Sequence, residues 1–217
     1  MPTPVFAAIF DLDGVLTSTS ARHEQSWAEA ARRFGIPVSD DALQATRSVP
    51  RASALSAILS HAGVELGADA RESVMAFKNA RFQELIQNLK PGDAFPGAFE
   101  QVALCRELGM RVGVASASLN AQLVLERIGL ARLVDFVADS AKAAPKPSAE
   151  IYGMACAALG ALPQHAACIE DGAPMIANLR AEGLHTVGIG TGALGADEQF
   201  AKIADWDVRA TLARLAR

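Results

Sequence analysis

The feature that most constrains this chain is a short apolar run, residues 5–10, which ends in the segment Asp11-Leu12-Asp13-Gly14. The run is rich in Val, Ile and Phe and too short for a typical helix, so it predicts a buried β-strand. Open α/β sheets bind their ligands just beyond the carboxyl ends of their strands. Two aspartates placed there repel each other unless a cation or a proton lies between them, and Mg²⁺ commonly binds carboxylates together with substrate phosphates. The strand end therefore predicts a Mg²⁺-assisted phosphoryl-transfer site, with a solvated Asp-Gly turn as the alternative.

Composition and charge restrict the class of protein and of partner. The 217 residues are 51% hydrophobic and 20% charged, which is typical of a globular protein with an ample core. A net charge of −4 argues against a nucleic-acid partner, which needs a basic face. No apolar run approaches the roughly 18 residues of a membrane span, and no signal peptide is recognised. We therefore expect no membrane partner and a cytoplasmic protein, with Cys105, Cys156 and Cys168 as reduced, buried thiols.

The order of predicted elements divides the chain into a helical segment and an α/β segment. Between Thr17 and Lys90 the hydrophobic pattern predicts helices and no strand, and the breakers Pro91-Gly92 follow. Beyond them, short apolar strands alternate with helices of about 10 to 15 residues, which predicts right-handed crossovers and a parallel sheet. We predict an α/β fold: a Rossmann-like doubly wound parallel sheet core, residues 1–16 and 92–217, with an inserted all-helical cap, residues 17–91.

Polar groups follow four of the predicted strands or their connections, at the sheet edge where the strand ends converge. They are Asp11, Asp13, Ser116, Lys146, Glu170 and Asp171. Phosphoryl transfer needs an in-line nucleophile, a cation, and donors that fix the phosphate oxygens. Asp11 is the predicted nucleophile, which would form an aspartyl-phosphate, and Asp13 is the predicted general acid and base.

The same groups supply the predicted metal and phosphate ligands. Asp11, Glu170 and Asp171 would share Mg²⁺ with the backbone carbonyl of Asp13, while Ser116 and Lys146 would hold phosphate oxygens. Each has a plainer explanation when taken singly: Ser116 as a helix N-cap, Lys146 as a solvated loop lysine, and Glu170-Asp171 as an acidic turn. Their joint occurrence favours the functional interpretation, as do the two prolines that flank Lys146.

A second motif, Gly190-x-Gly192-x-x-Gly195, matches the dinucleotide-binding fingerprint and follows a predicted strand. It lies near the end of the chain with no second βαβ unit after it, whereas the fingerprint requires a strand before it and a helix after it. We predict a loop there rather than a nucleotide site.

These motifs together resemble the haloacid dehalogenase superfamily, which combines a Rossmann-like core with inserted caps. The segment Phe10–Leu16 resembles its first motif, the strand end at Ser116 its second, Lys146-Pro147 its third and Glu170-Asp171 its fourth. The four motifs occur in order and span the predicted core. The resemblance implies Mg²⁺-dependent chemistry through an aspartyl-phosphate on Asp11.

Within the superfamily, the cap resembles that of the sugar-phosphate mutases. Thr19, His23 and Trp27 recur at the spacing seen there, residues 48–55 are similar to an arginine-bearing cap loop, and Lys78-Asn79 precedes a similar return to the core. The resemblance implies interconversion of β-D-glucose 1-phosphate and glucose 6-phosphate through a bound glucose 1,6-bisphosphate. The residues it implies as substrate-binding are His23, Trp27, Arg51, Lys78, Ala117, Ser118 and Asn120, and Thr19 would help to orient Asp13.

Part of this assignment has a physical basis independent of the resemblance. A mutase binds an intermediate with two phosphates, so it needs a second anion site, and an arginine such as Arg51 can hold a phosphate bidentately. Cap closure would also exclude water from the aspartyl-phosphate. Taken alone, Arg51 is a solvated residue at a helix start, and Trp27 and His23 are core residues of the cap.

Departures from the mutase pattern keep a second function open. Leu119 stands where the mutases usually have lysine, Ser18 and Ala52 replace acidic residues, Gly172 replaces serine, and Met175 replaces glycine. The alternative is a Mg²⁺-dependent phosphatase of a small sugar phosphate, in which water accepts the phosphoryl group. A catalytically idle phosphosugar-binding protein is a third alternative, which would not require both Asp11 and Asp13. Nothing in the sequence requires more than a monomer.

Overall fold

The computed structural model describes residues 4–47 and 49–217. In this part of the chain there are six β-strands: Ala7–Phe10 (β1), Arg111–Val114 (β2), Phe136–Val137 (β3), Ala166–Glu170 (β4), His185–Ile189 (β5) and Glu198–Phe200 (β6). The α-helices are Ser20–Arg33 (α1), Asp40–Gln44 (α2), Arg51–Ala62 (α3), Ala68–Ile86 (α4), Ala98–Glu107 (α5), Ala121–Arg127 (α6), Glu150–Leu159 (α7), Ala173–Ala181 (α8) and Val208–Leu215 (α9).

The chain divides into two compact units. The core unit consists of Met1–Ser18 and Lys90–Arg217, and the cap unit of Thr19–Leu89. The cap unit is shorter at each end than the predicted segment 17–91. In the described part of the chain, none of the helices is both long and apolar enough to span a membrane.

The core unit is built on one sheet with the strand order β3-β2-β1-β4-β5-β6, and every neighbouring pair is parallel. The chain first winds outward from β1 through β2 to β3, then returns to the other side of β1 at β4. This is the Rossmann-like doubly wound order, with its ligand crevice where the two directions of winding diverge. The predicted fold class is confirmed, whereas the short edge strand β6 and the last helix, α9, were missed.

Side-chain alternation along the strands fixes which face each functional group joins. Successive residues of a strand point to opposite faces of the sheet, and Ile9 packs in an apolar cluster with Cys168 and with the helices α7 and α8. On the other face, the ring of Phe10 contacts Trp206 edge-on at 5.8 Å. Phe10 is paired with Val114 of β2 and with Ile169 of β4, so the next residue, Asp11, is in register with Glu170. By alternation, both acidic side chains point to the face of the sheet that carries Ile9 and Cys168.

The cap unit is a helical unit with its own apolar core, to which α1, α3 and α4 contribute Trp27, Ala30, Leu55, Ile58 and Val74. Local signals in the sequence set the helix ends. The Ser39 hydroxyl accepts the backbone N–H of Ala42 at the start of α2, which is the N-cap arrangement expected for serine. The helix α3 ends at Gly63. The sequence predicted helices between Thr17 and Lys90, and the structure has α1, α2, α3 and α4 there.

The glycine-rich segment after β5 does not build a nucleotide site of the fingerprint type. Residues 190–197, all of them described, form no helix, and the chain passes directly from β5 to β6. The fingerprint binds a pyrophosphate at a helix N-terminus, which this segment lacks. The three cysteines are buried, which confirms that part of the prediction made for them.

Candidate active site

The first strand delivers its aspartates to the carboxyl edge of the sheet through a tight turn. Asp11 is 7% exposed, and its backbone N–H donates to the Ile169 carbonyl at 2.8 Å, which extends the pairing of β1 with β4. The turn then closes with a 2.8 Å hydrogen bond from the Gly14 N–H to the Thr17 carbonyl. Asp11 is therefore held rigidly on the last rung of the sheet, and Asp13 follows in the turn.

Lys146 lies between the carboxylates of Asp11 and Glu170. Its ammonium nitrogen is 2.8 Å from Asp11 Oδ1 and 2.7 Å from Glu170 Oε1, and the three side chains are 8%, 10% and 3% exposed. Lys146 belongs to the loop between β3 and α7, far along the chain from both acids. The sequence predicted that these three groups meet at one sheet edge, and the structure brings them into direct contact.

The Glu170 carboxylate accepts hydrogen bonds from four protein donors. Oε1 accepts from Lys146 at 2.7 Å and from the Tyr152 hydroxyl at 3.2 Å. Oε2 accepts from the backbone N–H groups of Asp171 at 2.9 Å and Gly172 at 3.1 Å. Glu170 is therefore fixed by its surroundings rather than solvated, and the predicted alternative of a mere acidic turn does not describe it.

Burial and mutual repulsion shift the pKa values of these groups. Burial raises the pKa of Asp11 to about 8, against the opposing attraction of Lys146. Burial and the neighbouring Glu170 raise the pKa of Asp171 to about 7. For Lys146, burial lowers the pKa, but the charges of Asp11 and Glu170 outweigh it and the net shift is upward. The three carboxylates of the site outnumber its one ammonium, and a further cation would favour their charged forms.

The donor set fits Mg²⁺. Carboxylate oxygens of Asp11, Glu170 and Asp171 lie within 4.8 Å of one another, and hard divalent cations prefer such oxygen ligands. Gly14 makes room for this arrangement: its φ is +94°, and a Cβ there would lie 1.9 Å from Asp171 Oδ2. Only glycine permits both this backbone conformation and this approach. Asp13 is partly buried in the same turn, where its backbone carbonyl was predicted as a further ligand.

The loop after β2 carries the predicted phosphate-binding residues. Ser116 is 3% exposed, and its hydroxyl oxygen accepts the backbone N–H of Ser118 at 3.1 Å. The Ser118 hydroxyl in turn accepts the N–H of Asn120 at 3.2 Å. Since Asn120 is the N-cap of α6, the alternative of Ser116 as the helix cap is wrong. Ala117 and Ser118 are partly buried, and Leu119 is 55% exposed.

The cap unit contains a buried lysine surrounded by aromatic rings. We call this set of residues the cap cluster: His23, Trp27, Lys78 and Phe82. The Lys78 ammonium lies 2.7 Å from His23 Nδ1, and the His23 ring stacks on Phe82 at 3.8 Å. The ammonium also lies over the rings of Phe82 and Trp27, at 4.7 and 5.3 Å from their centroids. Trp27 is 2% exposed within the apolar core of the unit, so the structure supports the packing role that the sequence left open for it.

Two other predicted cap residues have defined surroundings. The Arg51 guanidinium donates to Asn79 Oδ1 at 2.7 Å, and burial lowers the pKa of Arg51. Thr19 is fully buried and directly precedes α1. Ser48, which opens the arginine-bearing loop of the resemblance, lies outside the described residues.

Two residues of the core site were not predicted from the sequence. Tyr152 contacts both Glu170 and Lys146, but an aromatic residue inside a helical pattern reads as core and nothing in the pattern indicates its hydroxyl partner. Gly14 was noted only as a turn residue, and its close approach to Asp171 depends on the pairing of β1 with β4.

The chain is similar in sequence and in fold to several known proteins. A family model for haloacid dehalogenase-like hydrolases matches residues 7–183. The chain is 34% identical to a β-phosphoglucomutase of Bacillus subtilis over 197 residues, which cover 88% of this chain and 87% of that protein. It is 28% identical to validoxylamine A 7'-phosphate phosphatase of Streptomyces hygroscopicus subsp. limoneus, with 85% of each chain covered. The crystal structure of a β-phosphoglucomutase from Clostridium difficile superposes with a TM-score of 0.89 at 26% identity, covering 98% of this chain and 97% of that one.

Proposed function

The chain belongs to the haloacid dehalogenase-like hydrolase family, and within it we propose that the protein is a Mg²⁺-dependent phosphoglucomutase. The proposed reaction interconverts β-D-glucose 1-phosphate and glucose 6-phosphate. The observation that carries phosphoryl transfer is the contact of Lys146 with both Asp11 and Glu170, beside Asp171 at the carboxyl edge of the sheet. Two relatives named above bear the names of a mutase and a phosphatase, and both reactions use phosphoryl transfer.

Asp11 is the proposed nucleophile. Its backbone is fixed by the hydrogen bond from its N–H to the Ile169 carbonyl, and its Oδ1 by Lys146, which satisfies the requirement for an oriented attacking group. Attack on phosphorus forms an Asp11 acyl phosphate while the bond to the leaving oxygen breaks. Lys146 has three N–H donors, two of which contact the carboxylates. We assign the remaining donor, with the Ser116 hydroxyl, to the phosphate oxygens.

Asp13 is the proposed general acid and base. It gives a proton to the leaving oxygen of the first transfer and takes one from the hydroxyl that receives the phosphoryl group, a role typically worth about 10²- to 10⁴-fold in rate. Its position in the turn directly after Asp11 keeps both carboxylates at the same edge of the sheet.

The Glu170 carboxylate already accepts four protein hydrogen bonds. Asp11, Asp171 and the backbone carbonyl of Asp13 would therefore hold Mg²⁺, with Glu170 beside them rather than as the ligand that the sequence predicted. The bound ion would neutralise charge on the transferring phosphate. Gly14 is part of this assignment because it gives Asp171 its approach.

The choice of a mutase rests on the cap unit and on the relatives. A bisphosphate intermediate needs a second cationic site, and Arg51 is held for such a role by its 2.7 Å hydrogen bond to Asn79. Arginine binds phosphate bidentately. The β-phosphoglucomutases of Bacillus subtilis and Clostridium difficile cover nearly the whole chain.

A sugar-phosphate phosphatase is the second candidate, and Leu119 favours it. This side chain is 55% exposed in the phosphate-binding loop and offers no charge to a second phosphate. In that case water, rather than a sugar hydroxyl, would accept the phosphoryl group from Asp11.

One assay separates the two reactions. The protein receives β-D-glucose 1-phosphate, Mg²⁺ and a trace of glucose 1,6-bisphosphate, and glucose 6-phosphate and inorganic phosphate are followed in parallel. We expect glucose 6-phosphate with little free phosphate. Free phosphate as the main product would establish the phosphatase instead. If neither product forms here or with a panel of sugar phosphates, the proposal of phosphoryl transfer is wrong.

A further inference from the structure

Tyr152 is the one tyrosine of the chain, and it lies beneath the proposed active site. It belongs to α7, is fully buried, and packs in the apolar cluster that contains Ile9 and Cys168. Phenylalanine would fill nearly the same volume there without introducing a polar atom into the core. A buried hydroxyl is costly unless it finds a partner, and the partner of this one is Glu170 Oε1 at 3.2 Å.

The hydroxyl completes the hydrogen bonding of the Glu170 carboxylate. An ionised carboxylate offers about four acceptor sites, and Lys146, the N–H groups of Asp171 and Gly172, and Tyr152 supply four donors. The backbone donors fix Oε2, while Lys146 and Tyr152 fix Oε1. The phenol therefore helps to determine the position of the oxygen that Lys146 contacts.

The ring of Tyr152 also faces Lys146 directly. The ammonium nitrogen lies 5.1 Å from the ring centroid, within the range of a cation–π interaction. Lys146 is thus bounded by Asp11 and Glu170 through hydrogen bonds and by the face of Tyr152. Two separate parts of the Tyr152 side chain therefore contact two different residues beside Asp11. The hydroxyl contacts Glu170, and the ring face contacts Lys146.

We propose that Tyr152 is a positioning residue of the phosphoryl-transfer site: its hydroxyl and ring face together hold Glu170 and Lys146 in the geometry that orients Asp11. The inference rests on the proposed function for its kinetic consequence, but the contact geometry stands apart from it. In this role Tyr152 acts through Lys146 and Glu170, the two residues that its ring face and hydroxyl contact.

The first test compares Tyr152→Phe with Thr211→Val. Thr211 is fully buried in α9, and its hydroxyl accepts the indole N–H of Trp206 at 2.8 Å. Trp206 packs on Phe10, on the face of the sheet opposite Asp11, so Thr211→Val also removes one buried hydroxyl while nearly keeping the volume. We expect Tyr152→Phe to lower kcat by about 10-fold or more, as is typical for partners that orient functional groups, with KM for the phosphate substrate changed by less than about 2-fold. Thr211→Val should lower the melting temperature but leave kcat unchanged.

An aryl phosphate serves as substrate in this comparison, because both the mutase and the phosphatase would transfer its phosphoryl group. Equal kcat values for Tyr152→Phe and the wild-type protein, measured where both are folded, would overturn the positioning role. Absence of turnover in the wild-type protein would count against the proposed function, and the spectroscopic test that follows then decides on Tyr152 alone.

The second test uses the presence of a single tyrosine. Incorporation of 3-fluorotyrosine gives one ¹⁹F resonance from the folded protein, without any need for activity. Lys146→Met removes the ammonium over the ring and should shift this resonance. Lys142→Met, a change at a 75% exposed lysine in the same loop, should not. A resonance that is unmoved by Lys146→Met would contradict the inference even if Tyr152→Phe failed to fold.

Discussion

Each of the two units buries a lysine, and the two lysines are held by opposite kinds of partner. In the core unit, the Lys146 side chain is 8% exposed and lies between the anions Asp11 and Glu170. In the cap unit, Lys78 is 3% exposed and contacts the imidazole of His23 and the aromatic faces of Phe82 and Trp27. Carboxylates hold the first ammonium, and an uncharged ring nitrogen and two π faces contribute to holding the second.

The difference indicates the charge that each region is suited to receive. In the core site three carboxylates, those of Asp11, Glu170 and Asp171, lie together with one ammonium, that of Lys146, so the site favours a cation. In the cap unit, the Lys78 ammonium can only donate hydrogen bonds. His23 Nδ1 must therefore accept one from it, so the imidazole ring must be neutral. Arg51 contributes a further positive charge, held by the neutral Asn79. His23 and Asn79 thus contact these two cations without contributing negative charge, which suits an anionic group such as a phosphate.

The largest effect is expected from Asp11→Asn, which tests the core unit by removing its proposed nucleophile. The amide keeps the size of the side chain but is a poor nucleophile, so we expect phosphoryl transfer to fall by at least about 10⁴-fold, as when other covalent nucleophiles are removed. The rate of turnover of β-D-glucose 1-phosphate measures the loss, and mass spectrometry of the quenched variant should detect no phosphoryl group on the protein, in contrast to the wild-type protein.

Asp139→Asn is the matched control, because Asp139 is a 45% exposed carboxylate of the same unit, paired with Lys142. It should keep the wild-type rate and the phosphorylated species. Substantial turnover by Asp11→Asn would show that the reaction does not pass through a covalent intermediate on this residue.

A pair of lysine variants tests the comparison itself. Lys146→Met leaves Asp11 and Glu170 buried side by side, and removal of one member of a buried charged network typically costs about 3–5 kcal/mol. Lys78→Met places an apolar chain against the rings of Phe82 and Trp27, so we expect a smaller loss in the free energy of unfolding. Urea denaturation measures both, with Lys142→Met as the exposed control. Equal losses for the two buried lysines would contradict the idea that their partners differ in charge.

The core site could be predicted from the sequence because its polar groups stand at the ends of apolar strands. Asp11, Ser116 and Glu170 each stand at or just beyond the end of a run of buried residues, and the parallel register brings such ends together without any knowledge of side-chain contacts. Alternation along β1 and β4 then places Asp11 and Glu170 on one face. Fold and site were predictable here for the same reason.

The features that the sequence did not predict either depend on contacts between residues far apart in the chain or lie in segments whose local pattern is weak. Tyr152 has the same sequence signature as a packing residue, because its hydroxyl partner lies in another element. The strand β6 has only three residues, Glu-Gln-Phe, too few to show a period. The helix α9 did carry a signal, since Asp207 caps it by accepting the Ala210 N–H, and this Asp could have been read as a helix start.

The anion role of the cap unit is tested by Arg51→Ala. Loss of a charge-assisted hydrogen bond costs about 1.5–3 kcal/mol, so we expect kcat/KM for β-D-glucose 1-phosphate to fall by about 10- to 100-fold. An aryl phosphate carries no second phosphate in its reaction cycle and should lose little. Arg47→Ala, which removes a 55% exposed guanidinium paired with Glu24, is the control. Equal losses on both substrates would refute a distal-phosphate role for Arg51.

The smallest effect concerns the neutral state of His23. Burial lowers the pKa of His23 well below its ordinary value of 6.5, and the charges of Lys78 and Arg51 lower it further. The unfolded chain therefore binds a proton at this position in a pH range where the folded chain does not, so stability is complete above pH 6.5 and is lost as the pH falls below it. One such group accounts for a loss of about 1 kcal/mol in the free energy of unfolding between pH 6.5 and 5.5.

Replacement of His23 by glutamine, which keeps an acceptor for Lys78, should flatten this part of the pH dependence in urea denaturation. His61→Gln, a change at an exposed histidine at the end of α3, should leave the wild-type slope. An unchanged slope in His23→Gln would mean that His23 does not resist protonation, and the cap unit would then differ less from the core unit than its contacts indicate.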